Sequence, residues 1–204
     1  MTFELWISFV IASLLIIATP GPVVTLLVTT SISRGKNAAF SMIPGTFLGD
    51  LTSMLLSLAG VGALLLASPS LFNILKWLGA AYLVYLGIRL WIEAAANTRA
   101  KDKPAVEKSK SALKAFWVTI LNPKSFLFYV AFMPQFVSKD EAFLPQILLL
   151  GATFLALGIM NDITYTVLAD KVVRFLNNQA QKWVHRIGAL NLMATGVIII
   201  MLKS

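Results

Sequence analysis

The sequence predicts an all-α integral membrane protein, with six transmembrane helices arranged as two inverted three-helix repeats. Three observations predict this. Of 204 residues, 58% are apolar and 13% charged, and the mean hydropathy is +0.80, whereas soluble domains carry about 45–50% apolar and about 25% charged residues. The apolar residues gather into six runs, each near the ~20 residues that cross a bilayer as a helix. Features of the first three runs then recur, in order, in the last three.

Run one covers 4–28. Its start, "MTFELWISFV", has an acid and no basic residue, unlike a secretory signal, and reads as a retained helix. "TPGP" at 19–22 interrupts the run. Proline removes a backbone donor and clashes with the preceding turn, and glycine adds backbone freedom. Run two, 40–67, carries Asp50, and "ASPSLF" turns it into run three, 72–95. A hydrophilic stretch, 97–112, separates a first unit (1–96) from a second (113–204) and reads as a solvated cytoplasmic linker. Run four, 113–137, repeats the break at "NPK", 122–124; run five, 145–173, carries Asp162; run six is 186–203.

Thirteen of the 17 basic residues fall in or beside loops one, three and five, against Lys76, Lys139 and Lys203 on the opposite face. Positive-inside bias puts the odd loops in the cytoplasm and both termini outside, in the periplasm of a bacterial inner membrane. The same placement turns the net charge of +8 into an orientation signal and excludes a nucleic-acid partner.

The repeat is read from three alignments. "TPGP" lies on "NPKS" at 122–125, Asp50 on Asp162, and "LGAAYLVYLG" from Leu78 on "IGALNLMATG" from Ile187, with offsets of 103, 112 and 109 residues. Three helices per unit is odd, so the second copy enters from the opposite side. Inverted repeats of this kind build secondary transporters, with the substrate site near the midplane where the copies meet.

The residues that carry chemistry follow. Pro20, Gly21 and Pro22, and Pro123 with Asn122, mark the helix breaks. Irregular backbone at membrane depth persists only when buried in protein or lining a wet cavity; the plainer reading is two kinks. Asp50 and Asp162 sit inside apolar runs, where a charge costs at least ~2.5–3.5 kcal/mol and marks an ion, proton or substrate path. The plainer reading is a structural acid, with Asn161 as a partner for Asp162. Lys124 follows the second break, at a helix N-terminus that attracts anions. It either binds a carboxylate or pairs with Asp50 or Asp162. Gly79, Gly87, Gly188 and Gly196 let helices pack closely. Tyr82, Tyr85 and Asn191 line a cavity, fill the core or belong to an aromatic belt. His185 reads as a solvated loop residue. With no cysteine and one histidine, no disulfide, redox dithiol or soft-metal site is expected, no cofactor is called for, and no nucleophile–base pair points to an enzyme.

The stretches "ATPGP", "GTFLGD", "LKWLGAAYLVYLGIRLW" and "LNPKSFLFYVAFMPQF" resemble the signatures of the LysE/RhtB amino-acid exporters, most closely the homoserine/threonine-exporter branch. The resemblance covers nearly the whole chain. It implies six helices, export of small amino acids (homoserine-, threonine- or leucine-like) or derivatives from the cytoplasm, and drive by proton antiport. It places functional weight on Pro20, Gly21, Pro22, Asp50, Asn122, Pro123 and Lys124. Asp162 rests on the internal repeat alone. The expected partners are a small amino acid, protons and the lipid bilayer, with a homodimer left open. Two other readings compete: an exporter of an inorganic cation, for which too few oxygen ligands are visible, and a membrane scaffold that transports nothing.

Overall fold

A computed structural model describes residues 1–59, 68–95, 108–122, 124–125, 128–138 and 140–201, so Pro123, Lys139, Lys203 and 97–107 of the linker lie outside the described residues. Every regular element among the described residues is helical.

Helix α1 (Phe3–Ala18) begins at Thr2, whose Oγ1 accepts the Leu5 N–H at 3.4 Å. It stops at "TPGP", and α2 (Pro22–Arg34) restarts with proline in its first turn, where the missing N–H leaves no intrahelical bond unmade. The two axes are bent by 55°. At the far end of α2 the chain turns through Gly35, whose φ of +83° lies where a side chain would be strained. Short α3 (Lys36–Phe40) leads into α4 (Ile43–Leu58), which carries Asp50. Helix α5 (Pro69–Ala95) has 27 residues.

Helix α6 (Lys108–Ile120) starts inside the stretch read as linker. The fourth run does not continue as one helix to 137. Past Ile120 come a π-helical turn, Phe128–Phe132, and a 3-10 turn, Met133–Phe136. At the break the Asn122 side chain accepts the Lys124 N–H at 3.1 Å, a local bond that competes with the helical ladder. Helix α7 (Phe143–Val173) runs 31 residues, about 46 Å at ~1.5 Å per residue, and so outreaches the ~30 Å hydrocarbon layer.

Helix α8 (Asn178–Met201) begins eight residues before the sequence reading placed it. Asn177 caps it: its Oδ1 accepts the Ala180 N–H at 2.7 Å and its carbonyl the Gln181 N–H at 3.0 Å. This corrects the reading of His185. It is not a solvated loop residue; it is 9% exposed on α8, with Nδ1 2.8 Å from the Gln181 carbonyl. Arg186, also helical, lies over the rings of Trp91 and Trp183 at 5.5 and 5.4 Å.

Among the described residues, three helical stretches are long and apolar enough to cross a membrane: Lys36–Leu58, Phe143–Val173 and Asn178–Met201. The bent α1–α2 pair makes a fourth. Their outward faces carry large apolar side chains such as Leu15, Leu48, Leu148 and Ile198. An exposed apolar surface on this scale marks a membrane contact. At one end the Met1 ammonium pairs with Glu141, just before α7, and the Trp6 indole N–H donates to Thr153 Oγ1 at 3.1 Å.

Two cores form. Leu26, Leu27, Ala39, Leu83, Val118 and Leu192 join α2, α3, α5, α6 and α8. Phe9, Met54, Phe128, Met133, Leu150 and Phe154 join α1, α4, the turns after the second break, and α7, with the Phe128 and Phe154 rings stacked at 3.7 Å. Helices α5 and α8 pack antiparallel through reciprocal glycine contacts. A Cβ on Gly87 would lie 2.8 Å from the Ala189 carbonyl oxygen and 2.5 Å from Met193 Cγ; one on Gly196 would lie 2.8 Å from the Ala80 carbonyl oxygen and 2.8 Å from Val84 Cγ2. Under the 109-residue offset read from the sequence, each of these residues maps onto its counterpart. A backbone carbonyl cannot retreat as a side-chain tip can. Gly196→Val is therefore expected to separate α5 from α8, costing about 1–3 kcal/mol and lowering the melting temperature in detergent, whereas Ala194→Val, outside this contact, leaves it within a degree or two.

Candidate functional site

Breaking α1 at Ala18 frees the last carbonyls of that helix, and side chains from the second half of the chain take two of them. The Tyr165 hydroxyl donates to the Ala18 carbonyl at 2.9 Å, and the Lys124 ammonium to the Thr19 carbonyl at 2.7 Å. The two breaks are therefore tied directly together across 105 residues of sequence. Past the break, Thr25 is the first α2 N–H with an acceptor on the preceding turn, the Gly21 carbonyl at 2.9 Å. No side chain caps α2, so its leading N–H groups at Val23 and Val24 have no intrahelical partner. They make an anion-attracting end.

Opposite this end stand the two acids. Asp162, 7% exposed, accepts a hydrogen bond from Thr46 Oγ1 at 2.7 Å. Thr46 is one turn before Asp50 on α4. The residue one turn before Asp162 on α7 is Gly158, and a Cβ there would lie 4.0 Å from Asp50 Oδ2. The arrangement is reciprocal in position and unequal in chemistry. The threonine hydroxyl ties down Asp162, while glycine offers Asp50 nothing. Ser125 lines the same cavity as Asp50, and the buried Oδ1 of Asp50 has no partner among the described residues.

These groups surround one cavity of about 70 Å³, lined by Ile16, Ile17, Thr19, Gly21, Val23, Val24, Asp50, Asn122, Lys124, Ser125, Phe128, Phe154, Gly158, Asn161 and Asp162. Of the residues the sequence singled out, Gly21, Asp50, Asn122, Lys124 and Asp162 meet here. Pro20 is exposed beside the cavity and Pro22 is buried in the first turn of α2, so neither lines it. Lys124 makes its hydrogen bond to a carbonyl, and among the described residues no ion pair joins it to Asp50 or Asp162. Asn161 lines the cavity, but the hydrogen-bond partner of Asp162 is Thr46. Sequence reasoning missed Thr46, Ser125 and Tyr165. Thr46 was open to discovery, since a hydroxyl four residues from a membrane acid shares its helix face. Nothing local points to Tyr165, 147 residues from its acceptor.

Chemically the cavity offers two carboxylates on one side, and on the other a cation and free backbone N–H groups. That combination complements a small zwitterion. Among the described residues no group of three or more His, Asp or Glu side chains could hold a metal ion.

The chain matches the family model for LysE type translocators over residues 14–203. It is 33% identical over 181 residues to the homoserine/homoserine lactone efflux protein of Salmonella typhimurium, covering 89% of this chain and 88% of that protein. It is 30% identical over 178 residues to an uncharacterized membrane protein of Vibrio cholerae, covering 87% of each. A leucine efflux protein of Salmonella typhimurium is 34% identical over 131 residues, covering 64% of this chain and 62% of that protein. No solved structure matches.

Proposed function

The chain belongs to the LysE type translocator family, and from that premise we propose that it exports small amino acids or close derivatives from the cytoplasm by proton antiport, alternating access between two inverted three-helix repeats, 1–96 and 113–204. The cavity joining both helix breaks to Asp50, Asp162 and Lys124 is the observation that carries this reading. The substrate carboxylate sits at the α2 N-terminus beside Lys124, whose ammonium has two donors left after the bond to Thr19. The substrate ammonium lies against Asp50, whose buried Oδ1 has no partner among the described residues. A proton arriving from outside neutralises that acid and releases the substrate, because protonation changes the cost of keeping the carboxyl at membrane depth. Translocation makes and breaks no covalent bond, so the chain is a carrier and not an enzyme.

The repeat reading is supported by the Gly87–Ala189 and Gly196–Ala80 contacts, which exchange under the 109-residue offset, and by the Thr46–Asp162 and Gly158–Asp50 contacts, which exchange under the 112-residue offset. The names of the relatives make homoserine and leucine the first substrates to try. In an efflux-deficient strain loaded with homoserine- or leucine-containing dipeptides, the chain should speed release of the matching amino acid. Release no faster than from the empty-vector strain would refute the proposal.

Orientation follows from the basic loops, with both termini in the periplasm of a bacterial inner membrane. A phosphatase fusion after Ser204 is expected to be active and a fluorescent fusion there dark. Bright cytoplasmic fluorescence would reverse the topology.

A further inference from the structure

A second and larger cavity, about 280 Å³, opens at the end of the molecule where α2 finishes, α5 ends and α6 begins. It is outside the site described above and shares no lining residue with it. Its charged lining is Arg34 from α2, Arg89 and Glu93 from α5, and Lys110 and Lys114 from α6. Four cations thus face one carboxylate. The Arg89 guanidinium is held in place by donating to the Tyr85 hydroxyl at 3.1 Å. A recess with walls of low dielectric and one dominant sign of charge focuses its field and concentrates ions of the opposite sign. Its volume is close to that of small-ligand pockets and about four times that of the site cavity.

The two cavities are strung along one helix. The first turn of α2 lines the site, and its last turns line the basic recess. Between them Thr25 Oγ1 donates to Asn191 Oδ1 at 3.0 Å, and Leu26 and Leu192, 5% and 1% exposed, close the floor of the recess. Along α2 the last residue lining the site is Val24 and the first lining the recess is Leu26, and the Thr25–Asn191 hydrogen bond falls between them.

We propose that the basic recess is a separate recruiting site on the cytoplasmic side, which holds the carboxylate of an amino acid through Arg34 and Arg89 before the solute passes the Thr25–Asn191 closure. This rests on the export reading and deepens it. A recruiting site raises the local concentration of substrate without joining the transport step itself. Removing its charge should weaken apparent affinity and spare the maximal rate.

The test uses inside-out vesicles, where export appears as uptake, with radiolabelled homoserine and leucine as probes. Wild type is compared with Arg34→Gln, Arg89→Gln and the pair, at equal protein. For the pair, the expected result is an apparent KM raised about tenfold with Vmax within twofold, the scale of losing charge-assisted hydrogen bonds to the substrate carboxylate. In wild type KM should also climb between low and high salt as the field is screened, and in the pair it should stay flat. Unchanged KM in the pair, or a loss confined to Vmax, overturns the proposal. So does a lipid outcome, in which wild-type KM is better in neutral vesicles than in anionic ones and the pair abolishes the difference. That would make the recess a phospholipid headgroup site. Absence of wild-type uptake of either probe would instead strike the export reading, so the two failures are distinguishable.

Discussion

Asp50→Asn is expected to abolish proton-coupled export while leaving a folded protein in the membrane. Asparagine keeps the shape of the side chain, but it cannot cycle a charge. The geometry separates this residue from Asp162. Thr46 occupies Asp162 at 2.7 Å, whereas the buried Oδ1 of Asp50 has no partner among the described residues. An acid already committed to a neighbour has less to exchange with a substrate ammonium or a proton. Flux in Asp50→Asn should fall about 100-fold or more, equivalent to about 2.7 kcal/mol in the transport barrier. Asp162→Asn should fall only severalfold, because the Thr46 hydroxyl can also donate to an amide oxygen. Initial rates in proteoliposomes under an imposed pH gradient, beside melting temperatures in detergent, make the comparison. Full proton-driven flux through Asp50→Asn would remove this residue from the mechanism, and equal losses in the two variants would remove the asymmetry.

The parts of this architecture legible in the sequence are those that depend on one residue or one short segment. Proline at 20 and 22 interrupts the first run whatever surrounds it, and the 55° bend falls there. The glycine spacing of Leu78–Gly87 and Ile187–Gly196 could be read as close packing because the absence of a side chain is a local property. Its reciprocity, Gly87 on Ala189 and Gly196 on Ala80, appears only once α5 and α8 are set against each other. The misplaced start of α8 has a similar cause. "NQAQKWVHR" is too polar to register as a spanning segment, but it forms a helix because Asn177 caps it and Trp183 and Arg186 pack near Trp91. His185 is buried by that extension. Apolar content marks where a helix meets lipid, not where it begins. The partners of the site residues were hidden for another reason. Thr46 and Asp162 are 116 residues apart, and Lys124 and Thr19 are 105. Such pairings are set by tertiary packing and leave no trace in local periodicity.

Lys124 is where two physical readings of one charge give opposite results. As a counter-ion to Asp50 or Asp162, its removal would strand a carboxylate at membrane depth, and breaking such a pair is strongly destabilising. As a ligand for the substrate carboxylate, its removal would spare the fold. The geometry favours the second, because the ammonium donates to the Thr19 carbonyl and no ion pair joins it to either acid among the described residues. Lys124→Gln keeps a donor that can reach Thr19 and deletes only the charge. Its stability should stay near wild type while amino-acid binding and export fall at least about tenfold, roughly 1.4 kcal/mol. Lys124→Met deletes the donor as well, and because the bond to Thr19 is exposed, a further about 0.5–1.5 kcal/mol of stability at most should be lost. Combining Lys124→Gln with Asp50→Asn or Asp162→Asn completes the comparison. A counter-ion role requires the second change to restore stability lost in the first; a substrate role leaves little to restore and brings no recovery of export. Melting temperatures in detergent and equilibrium binding of homoserine and leucine, measured for all members of both cycles, separate the two. Recovery of stability and export together, with either acid neutralised, would defeat the substrate role of Lys124.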